Sequence, residues 1–241
     1  MHRPRNRNKE ALFSMDIGSS FTFMFQDRDW LKKILIGGVI SLIPIVNFAA
    51  MGYIVQLIRN VRDGEMLPLP EWDQFGECFV SGLYLFLVYV VYSLPIILLA
   101  CLQGVGTFML GGVGDSSAAE DVATMYAIAS ACLSCLMGVW GLFIGVISPA
   151  LWVRFAETGA FGATLSLSGW WSVMRANLGN YLIVLILFWL VLTFLAPLGA
   201  IACVVGIIFT QFWAYLVVGN LMGQLAAGLG LGGYYEPVAT A

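Results

Sequence analysis

Charge is what this sequence lacks. Asp, Glu, Lys and Arg make up 10% of its 241 residues, where an average soluble domain carries about 25%. Three stretches hold none of them and no histidine: between Glu77 and Asp115, between Asp121 and Arg154, and between Arg175 and Glu236. A charge at the centre of a bilayer costs roughly 2.5–3.5 kcal/mol on insertion scales, so long uncharged apolar stretches read as membrane spans. Histidine is nearly absent as well. The one histidine is His2, which removes axial histidine ligation of a buried haem, Ser-His-Asp catalysis and most transition-metal sites. No catalytic, metal or cofactor motif rises above background, so neither an enzyme nor a cofactor is expected. The net charge is −3 and no basic tract has interleaved aromatics, so nucleic acid is not an expected partner.

The few cysteines make no disulfide framework. Cys101, Cys132, Cys135 and Cys203 all lie in apolar segments, where a free thiol behaves as a small hydrophobe. Cys132 and Cys135 form a CxxC, but no second pair, histidine or cationic neighbour accompanies it, so helix packing is expected there rather than redox chemistry. GLGLGG, residues 228–233, looks like a nucleotide loop yet opens no helix, and it carries no weight.

What is present is apolar residue, 60% of the chain. Residues 1–14 read as a polar tail whose Arg3, Arg5, Arg7 and Lys9 suit anionic headgroups. A cleaved signal is rejected, because Ala11 to Asp29 contains Asp16, Asp27 and Arg28 and has no clean apolar core. Residues 15–30 mix Phe21, Phe23, Phe25 and Trp30 with Asp27, Arg28 and Asp29, a pattern for a helix lying at the interface. Residues 31–62 admit two readings: one span kinked at Pro44, or a hairpin turning near Ile43–Asn47. Lys32 and Lys33 flank one end, and Arg59 and Arg62 the other. Only a hairpin keeps both pairs inside, as the positive-inside tendency prefers. Its arms of about 13–16 residues would reach roughly 20–24 Å. That is short of the ~30 Å hydrocarbon core, so the hairpin is re-entrant or thins the bilayer.

A turn-rich connector follows at 63–78, then a span from Phe79 to Gln103, a loop from Gly104 to Asp121, and a return from Val122 to Val153. That loop holds three acids and no Lys or Arg, as expected outside the cell. Residues 154–180 form a second amphipathic segment. Residues 181–226 are too long for one crossing and split at LAPLGA into Tyr181–Ala196 and Leu198–Ala226. Residues 227–241 read as a flexible tail. All 11 Lys and Arg residues then fall on one side, which puts both termini in the cytoplasm. FTFMFQDRDWL, residues 21–31, and WSVMRANLGNY, residues 171–181, echo each other. Residues 15–226 are accordingly taken as one membrane domain with candidate repeat halves at 15–103 and 122–226.

The residues singled out are of two kinds. Trp30, Arg59, Arg62, Trp72, Trp170, Trp171 and Arg175 are candidates for anchoring at the interface or docking a partner. Gly138, Gly141 and Gly145 offer a small-residue face for helix packing. The acids Asp63, Glu65, Glu71, Asp73 and Glu77 lack the spacing of a calcium loop and read as solvated surface. Gln56, Gln103, Gln211, Asn220 and Gln224 are polar within apolar segments but not ionisable, so proton coupling is not expected.

The run DRDWLKKILIGG…LIPIV…MGYIVQLIRNVRDGEMLPLPEWDQFGECFVSGL resembles DUF4013, a family of prokaryotic multi-pass proteins of unknown function. Trp30, Lys33, Gly37, Pro44, Gly52, Tyr53, Arg59, Gly64, Pro70, Glu71, Trp72, Gly76 and Gly82 carry the resemblance, which is clearest over residues 21–100. It implies a polytopic membrane protein and supplies no activity. The expected architecture is an all-α membrane helical bundle of about six membrane-embedded helices plus two interfacial ones. The expected role is a non-enzymatic accessory or scaffold subunit in the plasma membrane, packed against lipid and other membrane proteins. The alternative is a transporter or channel-like protein for a small neutral or lipidic solute, motivated by the broken hairpins at Pro44 and Pro197.

Overall fold

The computed structural model describes residues 15–110, 117–202 and 204–230. The tail 1–14 with His2, residues 111–116 of the acidic loop, Cys203 and the chain from 231 lie outside them. The described residues form helices and no strand. In order these are α1 (Ile17–Thr22), α2 (Trp30–Leu42), α3 (Asn47–Asp63), α4 (Phe75–Leu110), α5 (Ser117–Thr158), α6 (Phe161–Leu165), α7 (Leu167–Ala176), α8 (Leu178–Leu190) and α9 (Val204–Gly228). Among the described residues, four stretches are long and apolar enough to cross a membrane: Trp72–Leu110, Glu120–Thr158, Leu178–Ala200 and Gly206–Gly228. The remaining two of the six expected, α2 and α3, have 13 and 17 residues. At 1.5 Å per residue they reach about 20 and 26 Å, below the ~30 Å of hydrocarbon.

Contacts divide the chain into two compact units. One holds residues 1–85 and 149–241, the other Phe86–Ser148.

In the first unit, residues 31–62 fold as a hairpin. The break follows from Pro44: its ring keeps Ile43 extended, with φ −90° and ψ 113°, and Ile45 lies in the left-handed region at φ 73°. The packing that holds α2 and α3 runs through glycine. A Cβ on Gly37 would overlap the Phe212 ring of α9, and one on Gly38 the Phe209 ring. One on Gly52 would strike the Cys78 carbonyl, and one on Gly82 the Phe48 carbonyl. At that crossing, α3 and the start of α4 touch backbone to backbone. Gly219 sits against Ile54 and Leu57, and Gly223 against Val61, which runs α9 alongside α3. Lipid tails remove the hydrophobic drive between helices, so close backbone approach is what gains dispersion energy here.

The echo between residues 21–31 and 171–181 has a counterpart in element order. Each segment leads into a 13-residue helix, α2 and α8, and then a break that contains Pro44 or Pro197. The second break is longer than LAPLGA. It takes in a π turn at Val191–Leu195 and a 3₁₀ stretch at Ala196–Ala202 before α9 begins. Residues 15–30 carry α1 and a 3₁₀ turn at Phe23–Gln26. Asp16 and Gln224 exchange two hydrogen bonds of 2.8 and 3.1 Å, and Ser20 donates to Asn220 at 2.8 Å. These contacts fasten α1 to α9 and satisfy two of the polar groups found in an apolar segment.

The second unit is an antiparallel pair made of the C-terminal part of α4 and the N-terminal part of α5. The helices run further than the sequence suggests: Gly104–Leu110 and Ser117–Asp121, read above as loop, are helical. Polar side chains knit the pair along its length. Tyr89 bonds Ser148, Trp140 Nε1 donates to the Tyr92 carbonyl, and Gln103 Nε2 donates to the Ser130 carbonyl. Tyr126 donates to the Gln103 carbonyl beside the ring contact that Gly106 allows. Gly106, within this helical extension, leaves the space that the Tyr126 ring takes.

Candidate functional site

The densest arrangement of polar groups in the first unit fastens the first connector. Lys33, on the first turn of α2, points three N–H donors at three acceptors. Nζ lies 2.7 Å from Asp27 Oδ2, 2.6 Å from Glu71 Oε1 and 3.3 Å from the Leu69 carbonyl. Lys33 is buried and so is Asp27, while Glu71 is largely exposed. Burial opposes the charge on Asp27, but the hydrogen bonds from Lys33 and the Asp29 N–H outweigh it and hold the carboxyl below its ordinary value. Burial likewise opposes the Lys33 charge, and hydrogen bonds to Asp27 and Glu71 outweigh it and raise the ammonium above its ordinary value.

From α3, Tyr53 donates to the Pro70 carbonyl at 2.8 Å and Asn60 Nδ2 donates to the Pro68 carbonyl at 3.0 Å. Three consecutive carbonyls of the Pro68–Leu69–Pro70 run are thereby held by Asn60, Lys33 and Tyr53. Proline suits this run because no backbone N–H is left to satisfy at either end. Trp72 closes the clamp. Its ring stacks on Tyr53 with centroids 4.3 Å apart, and its Nε1 donates to the Lys33 carbonyl at 3.2 Å.

Arg59 and Arg62 are buried, and both reach the Ala156 carbonyl, at 3.0 and 3.4 Å. Ala156 lies in the last turn of α5, where carbonyls have no helical partner and the helix dipole favours cations. The arginines cap that helix, and Arg62 also grips Asp63 through two N–H groups at 2.8 and 2.9 Å. Asp63 and Glu71, read as solvated acids, thus each pair with a buried cation.

Trp170 is buried and Trp171 half exposed, with the Arg175 guanidinium 5.5 Å from the Trp171 ring. Trp30 meets Phe25 edge-on at 4.9 Å and lines an apolar cavity of about 260 Å³ with Ile34, Phe209 and Trp213. Gly138 and Gly141 have nothing within 4 Å of a Cβ among the described residues, so their face is open. The spacing G-x-x-x-G that is used inside the chain is Gly219–Gly223, which the sequence reading passed over.

It also passed over a cavity. A space of about 390 Å³ opens beside the break between α2 and α3, walled by Ser41, Asn47, Met51 and Ile54, by Trp152 of α5, and by Gln211, Phe212 and Tyr215 of α9. Asn47 Oδ1 is buried there with no hydrogen-bond partner. The signal available in the sequence was the pairing of Pro44 with Asn47 in an otherwise apolar hairpin. Asn47 read as turn chemistry, and the break at Pro44 as the ground for the transporter or channel-like alternative.

A model of the family described as "Protein of unknown function (DUF4013)" matches residues 36–209. No curated protein and no solved structure matches the chain.

Proposed function

From the premise that the chain belongs to the DUF4013 family, whose function is unknown, we propose a non-enzymatic integral membrane component that packs against other membrane proteins or lipids as an accessory or scaffold subunit. One observation carries this reading. The most apolar windows of the two longest spans are only 11% and 6% buried within the chain. Phe108, Met125 and Leu142 stand at 85%, 72% and 68% exposure. Faces of this size need a cover, which is lipid, protein or both. The open face at Gly138 and Gly141 admits a close helix.

The proposed setting is the plasma membrane with both termini cytoplasmic, supported by the basic residues. Lys33, Arg59 and Arg62 gather at one end of the hairpin, as the positive-inside rule asks. Cysteine placed at Ser116 should react with an impermeant reagent on intact cells, and cysteine at Glu65 should not. The reverse pattern overturns the orientation. For the role itself, extraction in mild detergent followed by a native gel should show the chain in a larger species. Gly138→Leu with Gly141→Leu should break that species without lowering the Tm of the chain. A strictly monomeric, partner-free species overturns the reading.

The transporter or channel-like alternative is favoured by the cavity beside the break at Pro44, since interrupted helices line many transporter sites.

A further inference from the structure

We propose that the cavity at the α2–α3 break is a binding site for a small neutral molecule that presents an N–H or O–H donor on an apolar, ring-shaped body. This rests on the cavity that favours the second reading, but it needs no transport. Three observations converge on it.

The first is the orphan acceptor. Asn47 Oδ1 is buried and unpartnered, and Asn47 is one of the residues that line the cavity. An amide oxygen taken from water and given nothing in return is a standing penalty. Buried polar groups that lack a protein partner regularly have one that is not protein. Gln211, across on α9, lines the same cavity, so a second amide is available to donate or accept.

The second is the lining. No Lys, Arg, Asp, Glu or His takes part, so an ion entering would find no counter-charge and would lose its hydration for nothing. A neutral ligand has no such difficulty. Trp152, Phe212 and Tyr215 supply aromatic surface, which rewards a flat apolar body. The volume of about 390 Å³ lies within the range of small-molecule sites.

The third is the backbone beside it. Ile45 holds φ 73°, a left-handed conformation that a β-branched side chain resists. Its side chain is 67% exposed, so its own packing does not explain the conformation. Strain of this kind is kept where the surroundings over-determine it, which is common at ligand clamps.

Indole and 1-benzothiophene make a matched probe pair: the same shape, with and without an N–H. The purified full chain in lipid nanodiscs is dialysed to equilibrium against each, with empty nanodiscs as the partition blank. Indole should bind saturably, and about tenfold more tightly than 1-benzothiophene, as one hydrogen bond to a buried acceptor is worth. Asn47→Leu should erase that preference while leaving the Tm unchanged or raised, because it removes an unsatisfied amide. Two results overturn the proposal. One is equal binding of the two probes to the native chain, or none beyond the blank, which makes the cavity a lipid-tail space. The other is a Tm that falls in Asn47→Leu, which gives Asn47 a structural partner. Binding with no transport in proteoliposomes would leave this site standing and remove only the transporter reading. A monomeric native gel would remove only the scaffold reading.

Discussion

Replacing Lys33 with methionine should be the most damaging single change to the clamp over the first connector. Methionine keeps the length and apolar body of the side chain but withdraws all three donors. Asp27 then keeps only the 2.8 Å bond from the Asp29 N–H to Oδ1, and Oδ2 loses the partner at 2.7 Å. Asp27 has a side chain only 11% exposed, so its charge is left largely stranded. Breaking a buried pair from one side costs about 3–5 kcal/mol, and the surviving N–H places this case near 3 kcal/mol. Glu71, with 67% of its side chain exposed, behaves differently. Its partnership is a surface ion pair, so Glu71→Gln should cost about 0–1 kcal/mol. The Leu69 carbonyl adds a third loss, because the connector is released at its middle.

The assay is a double-mutant cycle on detergent-solubilised protein, with unfolding followed by titrated denaturant. Lys33→Met should cost about 3 kcal/mol. Asp27→Asn with Lys33→Met should recover most of it, because a neutral pair replaces the stranded charge. The pH profile is a second reading of the same contact. Asp27 is held below its ordinary 3.8, so its contribution is present above that value and lost as pH falls through the folded value. Lys33 is held above its ordinary 10.5, so its contribution is present below that value and lost as pH rises through the folded value. Stability should therefore fall off at both ends in the native protein and lose both slopes in the double variant. Additive effects in the cycle, or a Lys33→Met loss under about 0.5 kcal/mol, would refute the account of a buried, fully satisfied ammonium.

Other expectations follow from single contacts. Tyr53→Phe should cost about 1 kcal/mol by deleting the hydrogen bond to the Pro70 carbonyl while keeping the stack on Trp72, measured by denaturant unfolding. Gly52→Ala should cost about 1–3 kcal/mol or more, because its Cβ meets the Cys78 carbonyl rather than a movable side chain; Gly141→Ala, with open space around it, should be neutral in the same assay. Ile45→Gly should raise stability by about 1 kcal/mol, since glycine accepts φ 73° without penalty, and a loss in thermal melts would contradict the strain.

The membrane character of the chain was legible in its uncharged runs, because burying a charge in lipid is expensive enough to write itself into the sequence. The hairpin at residues 31–62 was legible for the same reason, through Lys32, Lys33, Arg59 and Arg62. The contacts of those residues were not. A positive-inside argument counts Arg59 and Arg62 as charges facing water, while the fold turns both onto the Ala156 carbonyl at the end of a helix about a hundred positions away. Trp72 read as a candidate for anchoring at the interface or docking a partner, and its stack on Tyr53 was not visible in the sequence. Pairings of this kind depend on separations in sequence that no local pattern encodes. The cavity was illegible for another reason: a hole is defined by walls from four separate helices, and only Asn47 and Gln211 among them looked out of place locally.

Nine of the residues that carry the family resemblance have a common physical role. Gly37 admits Phe212, Gly52 and Gly82 bring two backbones together, and Gly64 ends α3 in a left-handed cap at φ 79°. Lys33, Tyr53, Pro70, Glu71 and Trp72 make the clamp over the connector. These residues fasten the first hairpin; none of them lines the cavity beside Asn47. A shared frame and a separate lining are two independent parts, which is how one fold comes to serve more than one ligand. Exchanging Asn47, Gln211 and Trp152 together for other neutral residues of similar volume should therefore alter which probe binds and leave the clamp, its pH profile and the Tm in place. If the same exchange collapses the hairpin, the cavity wall is part of the frame, and the division between fastening and recognition fails.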